Sequence, residues 1–442
     1  MKNKSIYTLL FILFNFTAFS QNFNKPKMDS LFAVLAEKNK AMGTIAISKN
    51  GQLIYSNSIG YASIDPVEKI PATAKTKYRI GSITKMFTAI LIFQLIEEKK
   101  LSLDSKLDKY FPSVPNAAKI SIGNLLNHHS GLHNFTDDSL YLTYNQKPKT
   151  QKEMIAIIAA SPVDFEPGAK GEYSNTNFIL LGYIAENISG KTYSKLIKQR
   201  ITDKLGLTDT YVGGKTDAKN NESYSYSFIN TWKQEPETDL TVPAGAGSIV
   251  STPTDLVKFI EGLFAGKLIS AASLEQAMKI KDRYGMGILQ IPFYNRKAWG
   301  HNGGVDGFGS SLCYFREDSV AIAYCTNGQV YPMNDILIGI LSIYFNMPYK
   351  IPLLNNISVS SSDLDKYLGI YSSEKIPLKI TVTKENSTLI AQASGQQSFP
   401  LEATEKDIFK FDRAGVVMEF NPEKKEFILK QGGVDYLFTK DQ

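Results

Sequence analysis

The order of hydrophobic periodicities predicts an α+β chain: an antiparallel sheet flanked by helices with a mainly helical subdomain, followed by a small all-β barrel-like or sandwich domain. Three observations predict it. Apolar residues alternate with period two at 43–63 and again at 284–328. From about 100 to 210 the periodicity is helical, broken by loops such as FPSVPNA and FEPGAKGEYSN. Beyond residue 363 the chain turns to short alternating strands (LKITVT, TLIAQAS, IFKFD, VVMEFN, EFILKQ, YLFTK) separated by Asn, Gly and Lys. With 442 residues, 43% hydrophobic and 21% charged, the composition is globular and the length allows two or more domains.

Taken in order, the elements justify themselves. Lys2 and Lys4 precede an almost wholly apolar run from Ile6 to Phe19, and Ala18 and Ser20 are spaced as small residues before a cleavage point. Residues 1–20 therefore read as a secretory signal, with Gln21 as the mature start and a periplasmic or secreted destination. A retained anchor is the alternative. About 14 apolar residues fall short of the roughly 20 that span a bilayer, so no stable span is expected after cleavage. No cysteine stands near the junction to carry a lipid.

The main domain is expected over 21–350. Residues 43–63 turn at Asn50-Gly51, a hairpin signal. Ser82 to Lys99 has no Gly or Pro and is apolar on most faces, which predicts a buried helix. In AGAGSIVSTPTDLVKF, Thr252 is placed to cap a helix, Pro253 suits its first turn and Asp255 completes a box-like pair. SSLCYF–REDS–VAIAYC reads as a hairpin in which Cys313 faces Ile322 and Cys325 points to the other side of the sheet. That predicts two buried thiols, and a disulfide only in another register. A further helix is expected over 334–345. IPLLNNISVSSS (351–362) reads as a linker to the β domain at 363–442.

The formal charge is +6, of which the leader supplies two. The remainder suits anionic surroundings such as a cell wall. No basic run is interleaved with aromatics, so nucleic acid is not an expected partner. The cysteines follow no metal pattern. His128, His129 and His133 cluster, but Gly131 interrupts them and no acidic partner is evident in the sequence; no metal is expected.

Three short motifs carry chemistry. Ser82 stands three residues before Lys85, nearly one helical turn, so the two share a face at the start of an apolar helix. As a mere helix cap Ser82 needs nothing from Lys85, yet a lysine in the first turn of such a helix is poorly placed for burial and for the helix dipole. A second Ser-x-x-Lys, Ser372–Lys375, lies in the terminal β domain. Tyr-x-Asn occurs at Tyr55–Asn57, Tyr173–Asn175 and Tyr344–Asn346; only Tyr173 follows a Gly/Pro loop and precedes an apolar helix. In WGHNGGVDGFGSSLCYF, His301 heads a glycine-rich entry to a strand, and Gly303 and Gly304 clear space for a close backbone or ligand.

Ser82-Ile-Thr-Lys85, Tyr173-Ser-Asn175 and His301-Asn-Gly303 occur in the order and at about the separations of three motifs of the serine β-lactamase and penicillin-binding DD-peptidase superfamily. The chain most resembles the branch of class C β-lactamases, DD-carboxypeptidases, D-amino-acid peptidases and related esterases. YRIGSITK, LLNHHSGL and AGAGSIVSTPTDLVKF resemble further signatures of that branch, and the likeness covers roughly residues 30–345. The terminal region resembles a small β domain often appended to these hydrolases. The third motif begins with His301 where most β-lactamases have lysine, which is more typical of peptidases and esterases.

The resemblance implies a serine hydrolase that acylates Ser82, with no metal or organic cofactor, acting on a small peptide, amide or ester, with cell-wall peptides favoured. A β-lactamase, or a non-catalytic penicillin- or peptide-binding relative, is the alternative. It further implies oxyanion donors at the Ser82 and Gly304 N–H groups beside Gly303, a substrate contact from Asn175, and a contact from His301 to Tyr173 or a substrate carboxylate. Lys85 and Tyr173 are both candidates for the base.

Overall fold

Asn50 and Gly51 both take positive φ (52° and 78°), as the two central residues of a type I′ hairpin turn must. The hairpin joins β1 (Ala41–Lys49) to β2 (Gln52–Ile59). The computed structural model describes residues 23–65, 68–228, 231–352, 354, 359–411 and 414–441; the apolar leader and its cleavage point lie outside them. Four later strands complete the sheet: β3 (Leu289–Phe293), β4 (Arg296–Val305), β5 (Phe308–Phe315) and β6 (Val320–Gln329). The order is β3-β4-β5-β6-β1-β2, antiparallel throughout, so β1 is flanked by strands from both ends of the domain.

Alternation assigns each face its own layer. Ile45, Ile47, Cys313, Phe315, Ile322 and Tyr324 pack with α1 (Lys25–Glu37) and with a terminal helix over Met333–Tyr344. Ala46, Leu312, Ala321, Ala323 and Cys325 face the larger helical core. Cys313 pairs with Ile322 across a four-residue connection, Arg316–Ser319, and both thiols are free and buried on opposite faces. The small residues on the second face let α4 (Pro253–Phe264) close on the sheet, while α2 (Thr84–Glu97) stacks Phe87 on Phe259 of α4 and packs beside α3 (Asn175–Ser189).

Two local expectations need correction. The helix after residue 81 does not begin at Ser82: Gly81–Ile83 is a 3₁₀ turn, Gly81 has φ 49°, and the α-helix starts at Thr84. Thr252 caps α4 by accepting from the Asp255 N–H at 3.2 Å, but the Asp255 carboxylate does not return to the cap. It accepts instead from the Asp209 N–H (2.8 Å) and the Thr210 hydroxyl (3.0 Å), because a buried carboxylate takes the nearest donors.

The terminal region closes into an eight-stranded antiparallel barrel running from Gly369–Ser372 to Val434–Lys440. Its core is its own: Val382, Leu389, Phe409, Met418, Phe427 and Phe438 are all buried there. Closure leaves no strand edge to pair with another chain. Ser372 of the second Ser-x-x-Lys donates to Asp441 Oδ1 at 2.7 Å on this barrel. Among the described residues no helix is long and apolar enough to cross a membrane.

Candidate active site

The 3₁₀ turn lifts Ser82 to the end of α2, where it stays partly accessible while Lys85 is fully buried. Lys85 Nζ lies 2.8 Å from Ser82 Oγ, 2.7 Å from Asn175 Oδ1 and 2.9 Å from the Ala246 carbonyl. Tyr173 donates its phenol O–H to Ser82 Oγ at 2.8 Å. Folding thus brings together a hydroxyl, an amine and a phenol that stand up to 91 residues apart in the chain.

Burial shifts both the amine and the phenol. It holds the Lys85 amine well below its ordinary 10.5. It also raises the Tyr173 phenol above 10, although the Ser82 hydrogen bond works the other way. A neutral amine has two N–H donors and one lone pair. The two carbonyl oxygens, of Asn175 and Ala246, can only accept, so they take both N–H groups. In the free amine the lone pair is then left facing Ser82, which accepts from Tyr173; the ammonium donates there instead, as it does to the two carbonyls. As a free amine, Lys85 is within reach of the Ser82 proton.

Asn175 opens α3. Its N–H donates to Asn134 Oδ1 (2.9 Å) and its Nδ2 to Thr136 Oγ1 (3.2 Å), so its amide is oriented with oxygen toward Lys85. His128, in the left-handed region at φ 60°, stacks on Tyr173 with ring centroids 4.5 Å apart. Its Nδ1 accepts from the Ser174 N–H (3.2 Å) and Asn177 Nδ2 (3.3 Å), which requires the neutral ring that burial enforces.

His301 is buried on β4, its ring centroid 6.3 Å from that of Tyr173. Burial first, and any charge on Lys85 second, pull it down to about 3. Nδ1 faces the Asn302 carbonyl and so carries the proton, leaving the Nε2 lone pair buried and unpartnered among the described residues. A neutral ring with a free acceptor suits the Tyr173 side of the site. The contact to a substrate carboxylate requires a proton that burial opposes.

Gly303 and Gly304 bring β4 against the Ser82 turn. A Cβ on Gly303 would stand 2.1 Å from the Ile80 carbonyl and 3.0 Å from Ser82 N, and one on Gly81 2.7 Å from Gly304 N. Gly303→Ala is therefore expected to push the strand from the turn. It should cost about 1–3 kcal/mol in urea unfolding, by analogy with overpacking elsewhere, and most of any Ser82-dependent turnover; wild-type stability and rate together would contradict the close approach.

A model of the family described as Beta-lactamase matches residues 28–339. The chain belongs to this family. Penicillin-binding protein 4* of Bacillus subtilis (strain 168) is 27% identical over 93% of this chain and 97% of its own length. A teichoic acid D-alanine hydrolase of Staphylococcus aureus (strain NCTC 8325 / PS 47) is 27% identical over 64% of this chain and 70% of its own. Among solved structures, D-amino acid amidase from Ochrobactrum anthropi SV3, complexed with D-phenylalanine, aligns with TM-score 0.64 and 26% identity, covering 73% of this chain and 99% of that one. The octameric penicillin-binding protein homologue from Pyrococcus abyssi shares the fold over 94% of this chain and 99% of its own, with TM-score 0.63 and 24% identity.

Within this family frame, some residues of the cluster had no role in the sequence reading. The Ala246 carbonyl is one, since a backbone acceptor leaves only the small-residue run AGAG as a trace. That run lets the segment approach α3, where a Cβ on Gly245 would stand 2.5 Å from the Phe178 carbonyl. The histidine cluster also has acidic partners, one of them, Asp138, only five residues from His133, at 3.5 Å from its Nε2. His129 Nε2 lies 2.9 Å from Asp282, and His133 Nδ1 2.9 Å from Asp164. Among the described residues no group of three or more His, Cys, Asp or Glu could hold a metal ion. The other Tyr-x-Asn tyrosines lie in the core beside α1: Tyr55 donates to Asp29 at 2.7 Å, and Tyr344 packs on Phe23.

Proposed function

We propose that the chain is an exported serine hydrolase that forms an acyl-enzyme on Ser82 from a D-aminoacyl amide, peptide or ester. The observation that carries this is the double contact on Ser82 Oγ: a buried amine on one side and a phenol donor on the other, each at 2.8 Å. Lys85 takes the hydroxyl proton as Oγ bonds to the substrate carbonyl carbon. The oxygen of that carbonyl takes up the negative charge and is held by the Ser82 and Gly304 N–H groups, each such donor being worth about 10²–10³ in rate. As the tetrahedral centre collapses, the C–N or C–O bond breaks. The leaving amine or alcohol receives a proton from the Tyr173 phenol, and the protonated Lys85 returns one to the phenolate, so both groups end as they began. Water then attacks the ester carbonyl, giving its proton to Lys85, and Ser82 leaves with a proton.

The named relatives motivate the substrate class: a D-amino acid amidase and a teichoic acid D-alanine hydrolase both point to D-aminoacyl groups. His301 in place of a lysine favours amides and esters over β-lactams. The leader at 1–20 motivates export. Side-by-side turnover of D-alanyl esters, D-amino acid amides, D-Ala-D-Ala peptides and a chromogenic cephalosporin tests the assignment. Ester or amide turnover that disappears with Ser82→Ala supports it. Faster turnover of the cephalosporin makes the protein a β-lactamase, and failure of a fluorophosphonate to add mass to the protein makes it a binder.

A further inference from the structure

Arg79 stands three positions before Ser82 and is almost fully buried. Nη1 donates to the Thr238 carbonyl at 2.7 Å and to Asp306 Oδ2 at 3.3 Å; Nη2 donates to Glu237 Oε2 at 2.6 Å and to the Gly214 carbonyl at 3.1 Å. Asp306 opens the two-residue turn Asp306-Gly307 between β4 and β5, with φ 52°. Its carboxylate also receives the Thr238 N–H (3.1 Å) and the Thr238 hydroxyl (2.6 Å). Thr238 Oγ1 in turn accepts from Asn145 Nδ2 at 3.2 Å.

Turn chemistry does not demand this carboxylate, because only Asp306 of the two takes positive φ and Asn adopts that conformation as readily as Asp. Burying a charge is costly unless it is paired and fully hydrogen-bonded, as this one is. What the carboxylate adds is a junction. Through Arg79 it reaches the chain that enters the Ser82 turn. Through its own backbone it holds the end of β4, two residues beyond Gly304. Through Thr238 it reaches the segment of Asn145, which continues back to the Asn134 and Thr136 that orient Asn175.

We infer that Asp306, clamped by Arg79 and Thr238, is a positioning residue that sets the gap between the Ser82 turn and the Gly303–Gly304 strand. It thereby fixes the two backbone N–H groups that would receive the oxyanion. The inference rests on the acyl-enzyme reading above and extends it to a residue outside all three motifs. A misplacement of about 1 Å costs about 10²-fold in rate.

The test uses the full chain with Asp306→Asn and with Thr238→Val, each titrated for active sites with a fluorophosphonate. Expected for Asp306→Asn are a fall in kcat of about 10- to 100-fold on an ester and a KM within about twofold, since ground-state binding is untouched. Affinity for a boronic acid, whose boron takes Ser82 Oγ as a fourth ligand and places an oxygen at the donors, should weaken by the same factor as kcat/KM. A purely structural role would lower Tm and the titratable fraction while leaving both titrated kcat and boronate affinity at wild-type values, and that result overturns the inference. If Asp306→Asn does not fold, Thr238→Val, which keeps the Arg79–Asp306 pair, decides by the same two readouts. Wild-type protein that neither labels nor turns over an ester overturns the hydrolase reading and this inference together. Wild-type turnover with unchanged variants overturns this inference alone.

Discussion

Ser82→Ala is expected to lower ester or amide turnover by at least about 10³-fold and to abolish the mass increase on treatment with a fluorophosphonate. The reason lies in how the hydroxyl is held. Ser82 Oγ is where the Tyr173 phenol and the Lys85 amine meet, and the Gly303 strand passes within van der Waals distance of the same turn. Removing Oγ takes away the bond-forming atom but leaves Lys85 its Asn175 and Ala246 acceptors. The fold should therefore survive with a stability change of about 1 kcal/mol, the usual worth of one hydrogen bond. Loss of activity without loss of Tm is the signature to look for. A Ser82→Ala protein that still gains the probe's mass carries its nucleophile elsewhere, and the proposed function goes with it.

The parts of this site that the sequence made legible are those whose chemistry is local. Asn50-Gly51 announces a hairpin because both residues tolerate positive φ, and the register of Cys313 opposite Ile322 follows from counting across the Arg316–Ser319 connection. Lys85 stands out because a lysine in the first turn of an apolar helix conflicts with burial and with the helix dipole, and such conflicts concentrate at functional sites. The helix start was misplaced because a 3₁₀ turn and an α-turn look alike in side-chain pattern; only Gly81, with its positive φ and its contact to Gly304, betrays the change. What stayed hidden is long-range and often backbone-borne. The pairing of β1 with β6, the Ala246 carbonyl on Lys85, and Asp282 beside His129 join residues 153 or more positions apart. Asp306 was invisible for a subtler reason: Asp-Gly at a hairpin already has a sufficient local explanation, so nothing in the sequence calls for a second.

The pH dependence of acylation separates Lys85 from Tyr173 as the base, and Lys85→Met makes the separation sharp. Burial disfavours the charged amine, so Lys85 releases its proton at a pH well below 10.5. The reaction needs the free amine. kcat/KM should therefore climb as pH rises through that lowered value and level off long before an ordinary lysine would titrate. Burial moves the Tyr173 phenol the other way, so it stays protonated through pH 10 and no fall in rate appears there. In Lys85→Met the climb should vanish and the rate should drop by about 10²–10⁴-fold, the usual contribution of a positioned base. Stability supplies an independent reading with a definite sign. Between the lowered folded value and 10.5 the unfolded chain binds a proton that the folded chain does not, so the Lys85 contribution to stability rises with pH across that window. Lys85→Met, with no proton to bind in either state, lacks that component, and the difference in Tm between wild type and variant should shift in favour of wild type as pH increases. A rising limb that persists unchanged in Lys85→Met would move the base to Tyr173 or to a group outside the cluster, and the lone-pair argument for Ser82 would fall with it.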